Sequence, residues 1–183
     1  LPPAVAPIQA VIVPVQMFKE GVLAKAREIY DTLKAAGIRV KLDDSDQSPG
    51  WKFSEYEMKG VPLRIEIGPR DIAENKCVIV RRDNREKSFV SIDNLVEEVN
   101  ASLDNLIKAL YEKALLHREE RTYSASDLDE LVSIANEKSG YIKAMWCGEL
   151  DCELKLKETA DVTSRCIPFG AKPIGDKCVC CGR

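Results

Sequence analysis

Apolar and polar positions along the chain switch between two periods, one of strands and one of helices. Gln9–Val15 is a run rich in Val and Ile with Pro14 near its end, the composition of a strand buried on both faces. From Val22 to Ala36 the spacing changes. Val22, Ala26, Ile29, Leu33 and Ala36 recur three and four apart, which predicts a helix, and Gly37 is placed to end it. Ile38–Leu42 predicts a second strand, Asp43-Asp44-Ser45-Asp46 a polar turn, and Pro49 the first turn of a helix reaching about Lys59. Leu63–Ile67 alternates as a third strand. Cys77–Val80 and Ser88–Ile92 predict a strand pair joined by the charged Arg81–Lys87 loop. The longest helical pattern runs from Ile92 to about His117, with Ser91 or Asp93 available as its cap.

Alternating strands and helices predict an α/β domain over residues 1–118, a mixed sheet flanked by helices. The charged stretch Arg118–Ser126 predicts a linker. A helix around Asp127–Ala135 then opens a smaller α+β unit over residues 119–183, in which Tyr141–Trp146 predicts a strand.

Composition narrows the classes. The 183 residues are 45% hydrophobic and 31% charged, enough apolar material for a packed core and too much for a disordered chain. No apolar run approaches the roughly 20 residues that span a bilayer, so no membrane partner is expected. The net charge of -3 conceals an asymmetry, because Lys59–Ser88 carries eight basic and five acidic residues and is +3 by itself. Such a stretch is either an anion-binding face on an acidic body or a solvated hairpin with paired charges. The chain opens Leu1-Pro2-Pro3 without methionine, as expected of an excised or processed piece.

Six of the seven cysteines fall after residue 146, and the seventh, Cys77, stands in an apolar run. An odd number crowded at one end argues against an extracellular disulfide framework and for a metal in a reducing compartment. Cys147 with Cys152, and Cys178 with Cys181, have the spacings at which a turn aims two sulfurs at one point, and four thiolates suit a structural zinc ion. Gly148 and Gly182 each follow one of these cysteines, as tight turns around a metal require. Cys180 is then the surplus thiol, and Cys166, in Cys166-Ile167-Pro168-Phe169, is expected in the small core. His117, the only histidine, ends a long helix and is expected at the surface or capping it.

Several segments together carry a family likeness. Val11-Ile12-Val13-Pro14, the run from Asp43 through Ser48-Pro49-Gly50-Trp51-Lys52-Phe53, Glu57-Met58-Lys59-Gly60-Val61-Pro62-Leu63-Arg64, and Gly68-Pro69-Arg70-Asp71 resemble the C-terminal half of a prolyl-tRNA synthetase of the archaeal and eukaryotic type. The likeness continues to Lys177-Cys178-Val179-Cys180-Cys181-Gly182. It implies an anticodon-binding domain followed by a zinc-binding domain with Cys147, Cys152, Cys178 and Cys181 as ligands.

The resemblance also implies what is missing. The catalytic domain, which joins proline to its tRNA using ATP and Mg, would precede Leu1, with residues 1–8 as the linker from it. The family's short tail ending in tyrosine would follow Arg183. The implied partner is proline tRNA in the cytoplasm. The whole enzyme is expected to be a homodimer through its catalytic domain, and this piece alone a non-catalytic monomer.

Every proline anticodon presents two guanines beside a variable first base. An unpaired guanine offers O6 and N7 to Arg or Lys and its N1 and N2 hydrogens to a carboxylate. By similarity to the family, Glu57, Arg64, Arg70, Asp71 and Lys87 align with its anticodon-contacting positions. Two other classes remain: a free-standing tRNA- or protein-binding accessory module, and a cytosolic redox protein using Cys180 and Cys181.

Overall fold

Ala10–Pro14 forms β1, and all five of its residues are buried. The reason is its central position: β1 pairs in parallel with β2 (Val40–Leu42) on one side and with β3 (Leu63–Ile67) on the other. Its side chains therefore alternate between two apolar layers instead of one. The computed structural model describes residues 1–183 and divides into two units, Leu1–Glu112 and Lys113–Arg183.

In the first unit the sheet order is β2-β1-β3-β4-β5, where β4 is Lys76–Arg81 and β5 is Lys87–Ser91. The β3–β4 and β4–β5 pairs are antiparallel, so the sheet is mixed. Ala10, Ile12, Leu63, Ile65, Ile67 and Ile79 pack on one face against α1 (Val22–Ala35) and the first half of α4 (Leu95–Glu120). Val22, Ala26, Ile29 and Leu33 of α1 and Leu95, Val99, Leu103 and Leu106 of α4 are the buried stripes. Each fully buried Leu or Ile in this layer contributes on the order of 1.5–3 kcal/mol. Cys77 belongs to the same layer, and burial, with the Asp71 charge second, pushes its thiol up to about 12.

The opposite face carries α2 (Pro49–Met58), whose Tyr56 packs with Val61 on Val11 and Val13. Pro49 occupies its first turn and the Ser48 side chain accepts from the Trp51 amide at 3.3 Å. This helix covers the sheet around β1 and, through Phe53 and Glu57, reaches Arg64 of β3. A single 3₁₀ turn, Ile92–Asn94, leads into α4, and a five-residue helix, α3 (Pro69–Ala73), follows β3.

In the second unit β6 (Thr122–Ser124) and β7 (Tyr141–Lys143) pair in parallel, with α5 (Leu128–Glu137) between them and α6 (Leu150–Ala160) after. Asp127 caps α5, accepting from the Glu130 amide at 2.9 Å. Ala125, Leu131 and Val179 form a small core joined by Ile134, Ile142 and Leu156. Gly140 lies against the Arg121 carbonyl so closely that any β-carbon would collide with it.

Two expectations from the sequence are corrected here. Arg118–Ser126 is not a free linker, because Arg118–Glu120 complete α4 and Thr122–Ser124 form β6, whose flanking Arg121 carbonyl and Ala125 amide pair with Tyr141 and Lys143 at 2.8 and 3.0 Å. Cys166 is exposed, as are Ile167 and Phe169, since these residues pack on nothing in the small core, which the chain after α6 meets only at Val162, Val179 and Cys180. No helix of the chain is long and apolar enough to cross a membrane.

Candidate nucleic-acid interface and metal centre

The part of this sheet face that runs from the edge of α2 across β3, β4 and β5 is built by register. Arg64 pairs with Val80 and Val80 with Lys87; one step along, Glu66 pairs with Val78 and Val78 with Phe89. Residues directly opposite in antiparallel strands share a face, so these two rows of three lie side by side. The two valines are buried, and the polar and aromatic residues stand on either side of them.

Arg64 is the centre of the polar side. Its Nε and one terminal nitrogen each lie 2.9 Å from Glu66 Oε1, and its other terminal nitrogen lies 3.3 Å from Glu57 Oε1, near the end of α2. The guanidinium sits 3.9 Å from the centroid of the Phe53 ring, also on α2. Stacking and a forked ion pair fix its plane, which an ammonium could not reproduce. The Lys87 ammonium reaches Glu66 Oε2 at 3.7 Å, Arg85 reaches Glu57 Oε2 at 3.8 Å, and Arg82 Nε donates to the Glu57 carbonyl at 2.9 Å.

Three of the five residues singled out from the sequence, Glu57, Arg64 and Lys87, are thus brought into one network. Arg70 and Asp71 are placed elsewhere, on α3 beyond the end of β3, and no hydrogen bond or ion pair joins them to it. Arg70 is exposed and forms no ion pair. The Asp71 carboxylate accepts from the Gly68 amide at 2.7 Å, capping α3 with one of its oxygens. Glu66 was not foreseen, although the alternation in Leu63–Ile67 already set it on the same face as Arg64 two residues on. Phe53 precedes Glu57 by one helical turn, which is the signal that could have found it.

The α2 helix is held by a buried polar group beneath it. Lys52 is 1% exposed, and its ammonium donates to the Asp43 carbonyl at 2.9 Å. Burial would raise the Asp43 carboxyl, but hydrogen bonds from the Ser45 hydroxyl and amide, then Tyr56 and the Lys52 charge, hold it below its ordinary value. The same environment, burial first and Asp43 second, pushes the Tyr56 phenol up to about 12.

In the second unit the Sγ atoms of Cys147, Cys152, Cys178 and Cys181 lie within 4.8 Å of one another, and all four are free thiols. Cys147 and Cys152 approach to 3.6 Å, Cys181 and Cys147 to 3.8 Å. Gly148 and Gly182 take φ of +90° and +73°, the left-handed turns their positions called for. Burial would raise Cys178, yet the amides of Cys181, Cys180 and Cys147 face its sulfur and lower it; Cys181 is drawn down to about 6 chiefly by Arg183. These four residues could hold a metal ion. Cys180 is partly buried against the small core and lies outside this group of four.

Residues 9–102 match the family of anticodon binding domains, and the chain belongs to that family. Residues 128–183 match a second family, the C-terminal domain of prolyl-tRNA synthetase. Over its full length the chain is 54% identical to proline–tRNA ligase 2 of Bacillus cereus (strain ZK / E33L) and 57% identical to the proline–tRNA ligase of Ruminiclostridium cellulolyticum. It is 55% identical to the proline–tRNA ligase of Lachnospira eligens. All 183 residues are covered in each case, and they span 38% of each relative's length.

Proposed function

We propose that this chain is the tRNA-reading part of a proline–tRNA ligase, binding the anticodon of proline tRNA through its first unit and stiffened by a structural zinc ion in its second. The observation that carries the reading is the Arg64–Glu57 pair, a guanidinium nitrogen and a carboxylate oxygen 3.3 Å apart, the Arg64 side chain 12% and the Glu57 side chain 40% exposed where α2 meets β3. The edge of guanine that carries O6, N1 and N2 presents an acceptor beside two donors, the complement of that pair. Glu66 and Phe53 hold Arg64 in plane before any RNA arrives, which lowers the ordering cost of binding. Arg70 and the free oxygen of Asp71 offer a second donor and acceptor for the other guanine, and Lys87 a phosphate contact.

For the second unit the donor set supports zinc. A tetrahedron of roughly 2.3 Å zinc–sulfur bonds has edges of about 3.8 Å, close to the sulfur separations found. Cys147, Cys152, Cys178 and Cys181 would fill all four positions, leaving none for water, so the ion would supply architecture and no chemistry. Proline activation, with its ATP and Mg, belongs to parts of the ligase outside these residues. The chain alone is read as a cytoplasmic monomer, which sedimentation would test.

The deciding experiment is binding of the 183-residue chain to a proline anticodon stem-loop and to the same loop with both guanines replaced, at one fixed salt concentration. Preference for the guanine pair is expected. Equal affinity for both would refute anticodon reading and favour the accessory-module alternative.

A further inference from the structure

Of the four residues that flank the two valines in the register rows, Phe89 alone enters no ion pair. It stands 71% exposed on β5, beside Lys87 on the same face and across buried Val78 from Glu66. A lone exposed aromatic is ordinary on a protein surface. This one differs in its surroundings, because it stands next to buried Val78 and two residues from the Lys87 ammonium on the same face of β5, a cation suited to a phosphate.

A Phe ring has no hydrogen-bonding group, so it can bind a base only by its flat surface, and stacking of that kind tolerates any base. The anticodon read by the neighbouring residues has one position that must be tolerated in this way. Its two guanines are fixed, whereas its first base varies among proline tRNAs. From this juxtaposition, and resting on the anticodon-reading function proposed above, we infer that Phe89 is a stacking platform for the unpaired, variable first base of the anticodon. Lys87 alongside it takes the adjoining phosphate. Two strand spacings of about 4.8 Å separate β3 from β5, so a base on Phe89 does not compete for the space over Arg64. The site thus divides recognition between a charged pair that discriminates and an aromatic ring that does not.

The test uses the 183-residue chain, wild type and as Phe89→Ala and Phe89→Tyr, with proline anticodon stem-loops carrying each of the four bases, or an abasic sugar, at the first anticodon position. Phe89→Ala is expected to weaken binding roughly 5- to 100-fold, to a similar extent for all four bases, while Phe89→Tyr keeps it. The abasic loop is expected to bind the wild type weakly and to lose little more with Phe89→Ala. Because Phe89 is exposed, folding of the variants is checked by circular dichroism and should be unchanged. Wild-type affinity in Phe89→Ala, or a full loss that persists on the abasic loop, would overturn the platform. If guanine preference survives while Phe89→Ala has no effect, anticodon reading stands and this inference alone fails. Absence of any guanine preference removes both.

Discussion

The Lys52 ammonium donates to the main-chain carbonyl of Asp43 at 2.9 Å and lies 3.5 Å from the same residue's carboxylate, with both side chains buried. Lys52 comes from the first turn of α2 and Asp43 from just after β2, so the contact ties the helix that carries Phe53 and Glu57 to the sheet. Lys52→Met would leave a buried carbonyl unpaired and a carboxylate short of one cation, at a cost of about 3–5 kcal/mol. Urea denaturation checks this. The double variant Lys52→Met with Asp43→Asn should recover part of the loss, because no uncompensated charge then remains.

Asp43 predicts an acid limb. Its carboxyl is held below the ordinary value of 3.8 in the folded chain, so the stability it contributes is present above that value and is lost as pH falls through the lower folded one. The urea midpoint of the first unit should fall more steeply below pH 4 in the wild type than in Asp43→Asn. Parallel curves would assign the acid sensitivity to other carboxylates.

Arg64 and Lys87 should separate base reading from phosphate binding. Arg64→Lys keeps the charge but loses the fork to Glu66 and the Phe53 stack, and is expected to cost about 1–3 kcal/mol on the guanine-bearing loop with the salt dependence retained. Lys87→Ala should weaken all loops alike and reduce the salt slope by about 1. Titrations at several salt concentrations distinguish the two.

Asp71 has two roles to be parted. Asp71→Ala removes the acceptor for the Gly68 amide and should destabilise the start of α3 by about 1 kcal/mol. Asp71→Asn keeps an acceptor oxygen, so it should preserve stability while weakening binding to the guanine pair. If Asp71→Asn binds as the wild type does, Asp71 is a cap and nothing more.

Chelation in reducing buffer should melt the second unit and spare the first. The small core of Ala125, Leu131 and Val179 is too slight to hold the cysteine turns by itself, whereas the sheet of the first unit has its own layers. Hydrogen exchange read separately for residues 113–183 and 1–112 measures it, alongside metal analysis for zinc. Unchanged protection in the second unit would show that its turns stand without an ion.

The strands and helices with strong periods were legible from sequence, and Leu63–Ile67, for which expectation and structure coincide, shows why: one face is buried and period two has to hold. The shorter pieces were not. Three residues of β6 carry too little pattern to stand out from the charged stretch around them, and α6 buries little beyond Cys152 along its length, so its apolar stripe is faint. In Cys166–Phe169 an apolar run suggested burial, but composition does not reveal whether a segment has anything to pack against. At the site, Arg64 was found through resemblance, while Glu66 read as an ordinary outward charge because only the sheet register reveals that it grips both Arg64 and Lys87.

The four sulfurs come from two stretches of chain separated by residues 153–177. With a metal upon them, this interval becomes a closed loop pinned at its base, containing the rest of α6 beyond Cys152 and the exposed Ile167 and Phe169. Beyond Val162, which still packs on the small core, the exposed stretch around Ile167 and Phe169 is then free to change in length, since each doubling of such a loop costs only about 0.6 kcal/mol. Even a break in the backbone there would leave one molecule, its two pieces still joined through the metal that both pairs of cysteines would hold.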